Sequence, residues 1–228
     1  MYAGIILQAR MASQRLPGKA LEPIAGRSLI VRCLQRLGAA GVGPVILATT
    51  TGSEDDALAS AAQDLGAAVF RGSSEDVLDR YVRCAAHFGL DRVVRATGDN
   101  PGVDINAPGR LLDALAARDA EYVRENDLPY GGGVEALTAE ALNRAGLLAR
   151  DPFDREHVTT YIRRHPESFR TLVRRVPAPL ARPDVRVTVD TADDLQAFRA
   201  LHAATGREMP TLPQLIAAWD RLGLRTAA

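Results

Sequence analysis

A three-layer α/β/α fold, doubly wound about a mostly parallel, mixed sheet, is predicted for this chain from three observations. Over the first two-thirds of the 228 residues, short apolar runs of strand type alternate with stretches whose apolar residues recur every three or four positions. Each alternation supplies a strand and a crossover helix, the unit that builds a parallel sheet covered on both faces. Hydrophobic residues make up 46% of the chain and aromatic residues only 5%, enough for one sizeable aliphatic core and a single domain over 1–228.

The elements follow in order. Strands are expected at 4–7, 44–49, 68–71, 92–97 and 121–124, with helices between them at 28–39, 55–65, 74–88 and 107–118. Ser73-x-x-Asp76 and Thr191-x-x-Asp194 have the hydroxyl-then-carboxylate spacing of a capping box, so they are assigned to helix starts. From about 125 to 183 the rhythm loosens into Gly131-Gly132-Gly133, a helix pair near 139–148 and 155–164, and the segment Val176-Pro-Ala-Pro-Leu-Ala-Arg-Pro183. That stretch is expected to leave the core as an excursion for acceptor binding, subunit contact or both, and the glycine run reads as a turn or bulge needing positive φ. The sheet pattern resumes at Val185-Arg-Val-Thr-Val-Asp190, rich in β-branched residues, and helices at 194–204 and 212–222 follow.

Composition excludes several functions. Lys plus Arg and Asp plus Glu number 28 each, so no overall basic excess suits nucleic acid or an anionic membrane. Cys33 and Cys84 lie among apolar residues of predicted helices and read as buried thiols without a disulfide. No 18-residue apolar run or cleavable leader is seen, and a cytoplasmic location is expected. Trp219 reads as a core or interface residue, and His87, His165 and His202 are assigned no role.

Positive charge is distributed unevenly in kind: 27 residues are arginine and one is lysine. That lysine closes the loop Gln8-Ala9-Arg10-Met-Ala-Ser13-Gln-Arg15-Leu-Pro-Gly-Lys19, directly after the first strand and ahead of an amphipathic helix. Strand, basic loop, helix is where open α/β sheets bind ligands, and a compact ammonium among planar guanidinium groups suits polyphosphate. On composition alone, a solvated Pro-Gly turn fits as well. Asp99 and Asp190 both stand at predicted strand carboxyl ends, which share one crevice in such sheets. Two duties remain open for them: holding a hard divalent cation such as Mg2+ against phosphate oxygens, or, for Asp99, a turn before Pro101 and, for Asp190, a helix start.

The opening block Gln8-Ala-Arg-Met-Ala-Ser-Gln-Arg-Leu-Pro-Gly-Lys-Ala-Leu21 resembles the CTP-binding start of the cytidylyltransferases that activate acidic sugars, the synthetases of CMP-sialic acid and CMP-Kdo, and an SpsF-like branch. Four further blocks match that branch in order: Arg71-Gly-Ser-Ser-Glu-Asp-Val-Leu-Asp-Arg80, Arg95-Ala-Thr-Gly-Asp-Asn-Pro101, Arg155-Glu-His-Val-Thr-Thr-Tyr-Ile162 and Arg186-Val-Thr-Val-Asp-Thr-Ala-Asp-Asp-Leu195. The resemblance implies a nucleotide-diphospho-sugar transferase-like fold. It implies Gln8, Ala9, Arg10, Ser13, Arg15 and Lys19 around the CTP phosphates, with Arg10, Arg15 and Lys19 as the catalytic cations. It places Arg71 and Ser73 at the cytosine or ribose, Asp99 at the nucleotide and metal, and Asp190 as the second metal carboxylate. Glu135, Arg155 and His157 become candidates for the acceptor, although helix histidines such as His157 more often have a structural or solvated duty. The chain departs from the branch at Gly133, where an Asp is common, which implies altered acceptor handling.

The activity so implied is transfer of CMP from CTP to a nonulosonic or ulosonic type of acid with release of pyrophosphate, for surface polysaccharide, by a Mg2+-dependent homodimer. A phosphonate acceptor, a sugar-nucleotide-dependent glycosyltransferase and a non-catalytic nucleotide-binding partner are the alternatives. The absence of any Asp-x-Asp pair weighs against the glycosyltransferase.

Overall fold

The computed structural model describes residues 1–13 and 15–225. In chain order these form β1 (Ala3–Gln8), a hairpin of β2 (Pro23–Ile24) and β3 (Arg27–Ser28), α1 (Leu29–Gly38), β4 (Val45–Thr50), α2 (Asp56–Gln63), β5 (Ala68–Gly72), α3 (Val77–His87), β6 (Arg92–Thr97), α4 (Ala107–Ala117), β7 (Tyr122–Asn126), β8 (Glu135–Thr138), α5 (Ala139–Leu148), α6 (Pro152–His157), α7 (Thr160–Arg164), β9 (Thr171–Arg175), α8 (Ala192–Thr205) and α9 (Leu212–Leu222). Seven strands share one sheet in the order β5-β4-β1-β6-β8-β7-β9. All adjacent pairs are parallel except those of β8, which runs antiparallel between β6 and β7. The sheet is therefore mixed and mostly parallel, as the sequence predicts.

β1 shows why. Ile5, Ile6 and Leu7 are all fully buried, because a central parallel strand is covered on both faces and needs no polar alternation. Ile5 and Leu7 join the core under α1, α2, α4, α8 and α9, whereas Ile6 joins the core under α3 and α5. The two cores make the three layers. Tyr81 of α3 ties them to the sheet by placing its buried hydroxyl at the carbonyls of Ile6 and Ala96, 3.1 and 2.9 Å away.

The expected elements recur within a few residues at each end, with four corrections. Residues 185–190 do not rejoin the sheet. Val185, Val187 and Val189 are buried, but the segment's strand-like backbone bonds reach loops beyond the strand ends, through Tyr130 N–H to Val185 O, Val187 N–H to Tyr130 O and Val189 N–H to Asp99 O, each at 2.8 Å. The stretch expected to leave the core at about 125–183 supplies β8 and β9 to the sheet and α5 to one of its faces. The helix expected at 155–164 breaks at Val158, whose φ of 59° and ψ of −60° close a strained γ-turn. Ser73 does not cap α3; Asp76 does, accepting from Asp79 N–H, while the Ser73 hydroxyl accepts from Glu75 and Asp76 N–H in the preceding turn. Of the glycine run only Gly131 has positive φ, 89°, and a Cβ there would meet Thr188 N at 2.7 Å.

The second expected box is present: the Thr191 hydroxyl accepts from Asp194 N–H while the Asp194 carboxylate accepts from Thr191 N–H. Thr191→Ala should cost about 1 kcal/mol, read in urea titrations as a lower midpoint with unchanged slope.

Candidate active site

A cleft of about 890 Å3 opens at the carboxyl ends of β1 and β6, lined among others by Gln8, Ala9, Arg10, Ser13, Arg15, Lys19, Arg80, Arg95, Asp99, Tyr130, His157 and Asp190. Its basic rim is the loop after β1. Asp55, buried at the start of α2, fixes that loop: one carboxylate oxygen accepts Met11 N–H at 2.7 Å and the other accepts the Thr49 and Thr50 hydroxyls and Thr50 N–H. Burial would raise the Asp55 carboxyl, but these donors outweigh it and hold it below the ordinary value. Gly18, at φ 74°, then turns the chain so that Lys19 re-enters the cleft.

Lys19 gathers both expected carboxylates. Its Nζ lies 3.4 Å from Asp99 Oδ2, 3.1 Å from Asp190 Oδ1 and 2.8 Å from Val189 O. Asp190 is buried and also pairs with Arg15 at 2.9 Å and Arg186 at 3.0 Å. Arg186 lies with its guanidinium over the Tyr130 ring at 4.7 Å and is itself gripped by Asp194 at 2.5 and 3.0 Å. Residues separated by 171 positions thus meet at one point, because β1 and β6 are adjacent and segment 185–190 crosses their ends. Among the described residues no group of three or more His, Cys, Asp and Glu gathers. Asp99 and Asp190 are the two that converge, which fits magnesium, an ion that takes one or two carboxylates and completes its shell with phosphate and water.

On the α3 side, Arg10 pairs with Glu156 at 3.0 Å and donates to Ser74 O at 3.3 Å. Arg95, from β6, pairs with Glu135 of β8 at 2.7 Å. Glu135 also accepts hydroxyl bonds from Tyr122 and Thr159. Burial pushes Glu135 up, but Arg95 and these hydroxyls prevail and keep it below the usual carboxylate range. Glu135 is thus consumed inside the protein and holds Arg95 toward the cleft instead of meeting a ligand. His157 does line the cleft, its ring tilted against that of Phe153 with the centroids 4.2 Å apart.

Three expected site residues stand elsewhere. Arg71 donates to Thr50 O and Gly52 O at 2.7 and 2.6 Å and pairs with Asp56, holding the β4–α2 loop. Ser73 serves the turn before α3. Arg155 bonds Asp76 at 2.6 Å and the Gly146 and Ala149 carbonyls at 3.1 and 2.9 Å, which joins α6 to α3 and to the end of α5. Gly133 is likewise outside the cleft, whereas Gly131 is in it. Arg80, Arg95, Glu156 and Tyr130 were not singled out from sequence. A signal existed for two of them: Arg95 interrupts the apolar strand Val93-Val94-Arg95-Ala96, and Arg80 falls on the buried face of α3 marked by Val77 and Cys84.

Comparison with known proteins gives three concordant results. The cytidylyltransferase family model matches residues 4–205. The spore coat polysaccharide biosynthesis protein SpsF of Bacillus subtilis is 33% identical over 88% of this chain and 86% of its own. Among solved structures, a cytidylyltransferase from Leptospira borgpetersenii superposes with a TM-score of 0.93 at 27% identity, covering 100% of this chain and 98% of that one. A CMP-2-keto-3-deoxy-manno-octonic acid synthetase complexed with CTP shares the fold at a TM-score of 0.67 and 21% identity, over 89% of this chain and 99% of that one.

The carboxylate network has a pH signature. Burial would raise Asp194, but Arg186 and the N–H groups of Asp190 and Thr191 bring it from 3.8 down to about 2. A depressed folded pKa contributes stability that is complete above the unfolded value and is lost as pH falls through the folded one, a contribution of about 2 kcal/mol here. Urea unfolding at pH 6 to 2 should show this loss between about pH 4 and 2, and Asp194→Asn should be less stable at pH 6 with a flatter acid limb.

Proposed function

Since the chain belongs to the cytidylyltransferase family, and is on that footing a CTP-dependent nucleotidyltransferase, we propose that it transfers CMP to a small acidic sugar with release of pyrophosphate. The carrying observation is the convergence of Lys19, Arg15, Asp99 and Asp190 in one cleft whose rim also holds Arg10. An oxygen of the acceptor bonds to the α-phosphorus as the bond from phosphorus to the pyrophosphate oxygen breaks, and the acceptor's proton leaves with the solvent. Such displacement needs alignment and charge stabilisation more than a reactive side chain, so no covalent enzyme intermediate is formed.

In this reading the loop of Gln8, Ala9, Ser13 and their neighbours seats the triphosphate. Arg10 and Arg15 exchange Glu156 and Asp190 for phosphate oxygens, which keeps each guanidinium paired before and after binding. Lys19 stays between the carboxylates and the phosphates. Asp99 and Asp190 would hold Mg2+, which would supply charge compensation as pyrophosphate departs. The SpsF relationship supports an acid destined for surface polysaccharide; a homodimer acting in the cytoplasm completes the reading.

Purified protein given Mg2+ and a panel of acidic sugars should release pyrophosphate from CTP and not from ATP, GTP or UTP; pyrophosphate release with no acid present, or glycosyl transfer from a sugar nucleotide with release of its nucleoside phosphate, would overturn the reading. Asp99→Asn should lower kcat about 100-fold while CTP binding stays measurable by calorimetry. Lys19→Arg should also slow turnover despite equal charge, because a planar fork cannot meet three acceptors grouped about a point.

A further inference from the structure

On the α3 side of the cleft, two guanidinium groups are neutralised and a third is not. Arg10 has Glu156 and Arg95 has Glu135. Arg80 is only 1% exposed, yet among the described residues no carboxylate lies within ion-pair distance of it. Its Nη1 donates to Ser73 O at 2.8 Å, and its buried Nε has no partner. The two carboxylates whose charge it feels are already taken up, Asp55 by Thr49, Thr50 and Met11 and Glu156 by Arg10. Burial, together with the nearby charge of Arg10, pulls the Arg80 guanidinium below its ordinary value.

An unpaired buried cation is costly, and α3 offers an obvious cheaper choice: Arg80 occupies a face otherwise made of Val77, Tyr81 and Cys84, where an apolar residue would pack without penalty. The cost is recovered when an anion enters. Arg95 lines the same cleft and, among the described residues, also has a buried Nε without a partner. Its orientation is set by Glu135, which is in turn held by Thr159, the residue after the strained turn at Val158. Strain kept in a turn that places both His157 at the cleft and Thr159 on Glu135 marks a preorganised wall.

We propose that Arg80 is the anchor for the ionised acid group of the acceptor, with Arg95 beside it as a neutralised donor and Glu135 as the positioning residue of Arg95. The ligand class is a small polyhydroxy compound bearing one carboxylate or phosphonate. The proposal rests on the cytidylyl-transfer reading above, since the phosphate loop with Arg15 and Lys19 accounts for the triphosphate and leaves the Arg80 charge unanswered. An acid group held here, away from Lys19, lets a separate hydroxyl of the same molecule face the α-phosphorus.

The test titrates sugar carboxylates and sugar phosphonates by calorimetry into protein saturated with CTP and Mg2+, which fills the phosphate loop. The wild type should bind at least one acid; Arg80→Gln should weaken that binding at least tenfold, with Arg80→Lys intermediate, while the Kd for CTP changes less than threefold. Arg80→Met should raise the melting temperature of the ligand-free protein by about 2–4 °C, because it removes an unanswered charge. Glu135→Gln, or Tyr122→Phe if the former fails to fold, should raise the acceptor KM and leave the CTP KM unchanged. Weakened CTP binding with unaltered acid binding in Arg80→Gln would make Arg80 a nucleotide residue and overturn the proposal. So would a lower melting temperature with unaltered acid binding, or a CTP-loaded wild type that takes up no acid. Failure of the wild type to bind CTP at all would instead overturn the cytidylyl-transfer reading.

Discussion

One ammonium holds the site together. Lys19 stands among Asp99, Asp190 and the Val189 carbonyl, and these belong to three chain segments that the sheet alone does not join. The loop after β1 is pinned at its start by Asp55 and at its end by Lys19; segment 185–190 is pinned by Asp190 and by backbone bonds to Asp99 and Tyr130. Asp190 would be an expensive buried charge without Lys19, Arg15 and Arg186. The cluster is at once a structural clasp for the ligand-free protein and a site whose cations can change partners when a polyanion arrives.

That dual use explains how far the sequence is legible. The βα alternation is physical and local, so β1, β4, β5, β6 and the helices between them emerge from periodicity. β9 is missed because it is an edge strand, two of its five residues arginine, with Val173 exposed, so its pattern lacks a buried face. Segment 185–190 is misassigned for the opposite reason: alternating buried valines are what an extended chain over a core requires whether or not it forms a ladder. Burial sets that pattern, and only the bonding partners distinguish strand from strap.

The site residues divide along the same line. Lys19 and Asp99 are legible because the loops after β1 and β6 lie at strand carboxyl ends and have topological meaning, and Asp190 because it closes the β-branched run 185–190, although that run is a strap and not a strand. Beyond Arg10 and Arg15 the arginines are not, since this chain also uses guanidinium groups as staples on backbone carbonyls. Arg32 takes the carbonyls of Ile24, Ala25 and Glu208, Arg36 those of Pro210, Gly102 and Val103, and Arg71 and Arg155 do the same near the cleft. Burial brings Arg36 down to about 10, which still leaves it charged at neutral pH. A staple and a ligand-binding arginine look identical in sequence; the difference is whether the fork's donors are spent.

Counting spent donors gives the cleft its polarity. On the Lys19 side Asp99, Asp190 and Asp194 are matched by Lys19, Arg15 and Arg186 in shared, exchangeable pairs, as suits a region that in the proposed reading receives a triphosphate and its metal. On the α3 side the pairs Arg10–Glu156 and Arg95–Glu135 cancel, and Arg80 is left over. A single unanswered buried charge selects for one charge of opposite sign, whereas a cluster of exchangeable pairs tolerates several. The same cleft can therefore hold a highly charged nucleotide tail and a singly ionised acceptor without either displacing the other, because burial makes the two ends respond to different amounts of charge.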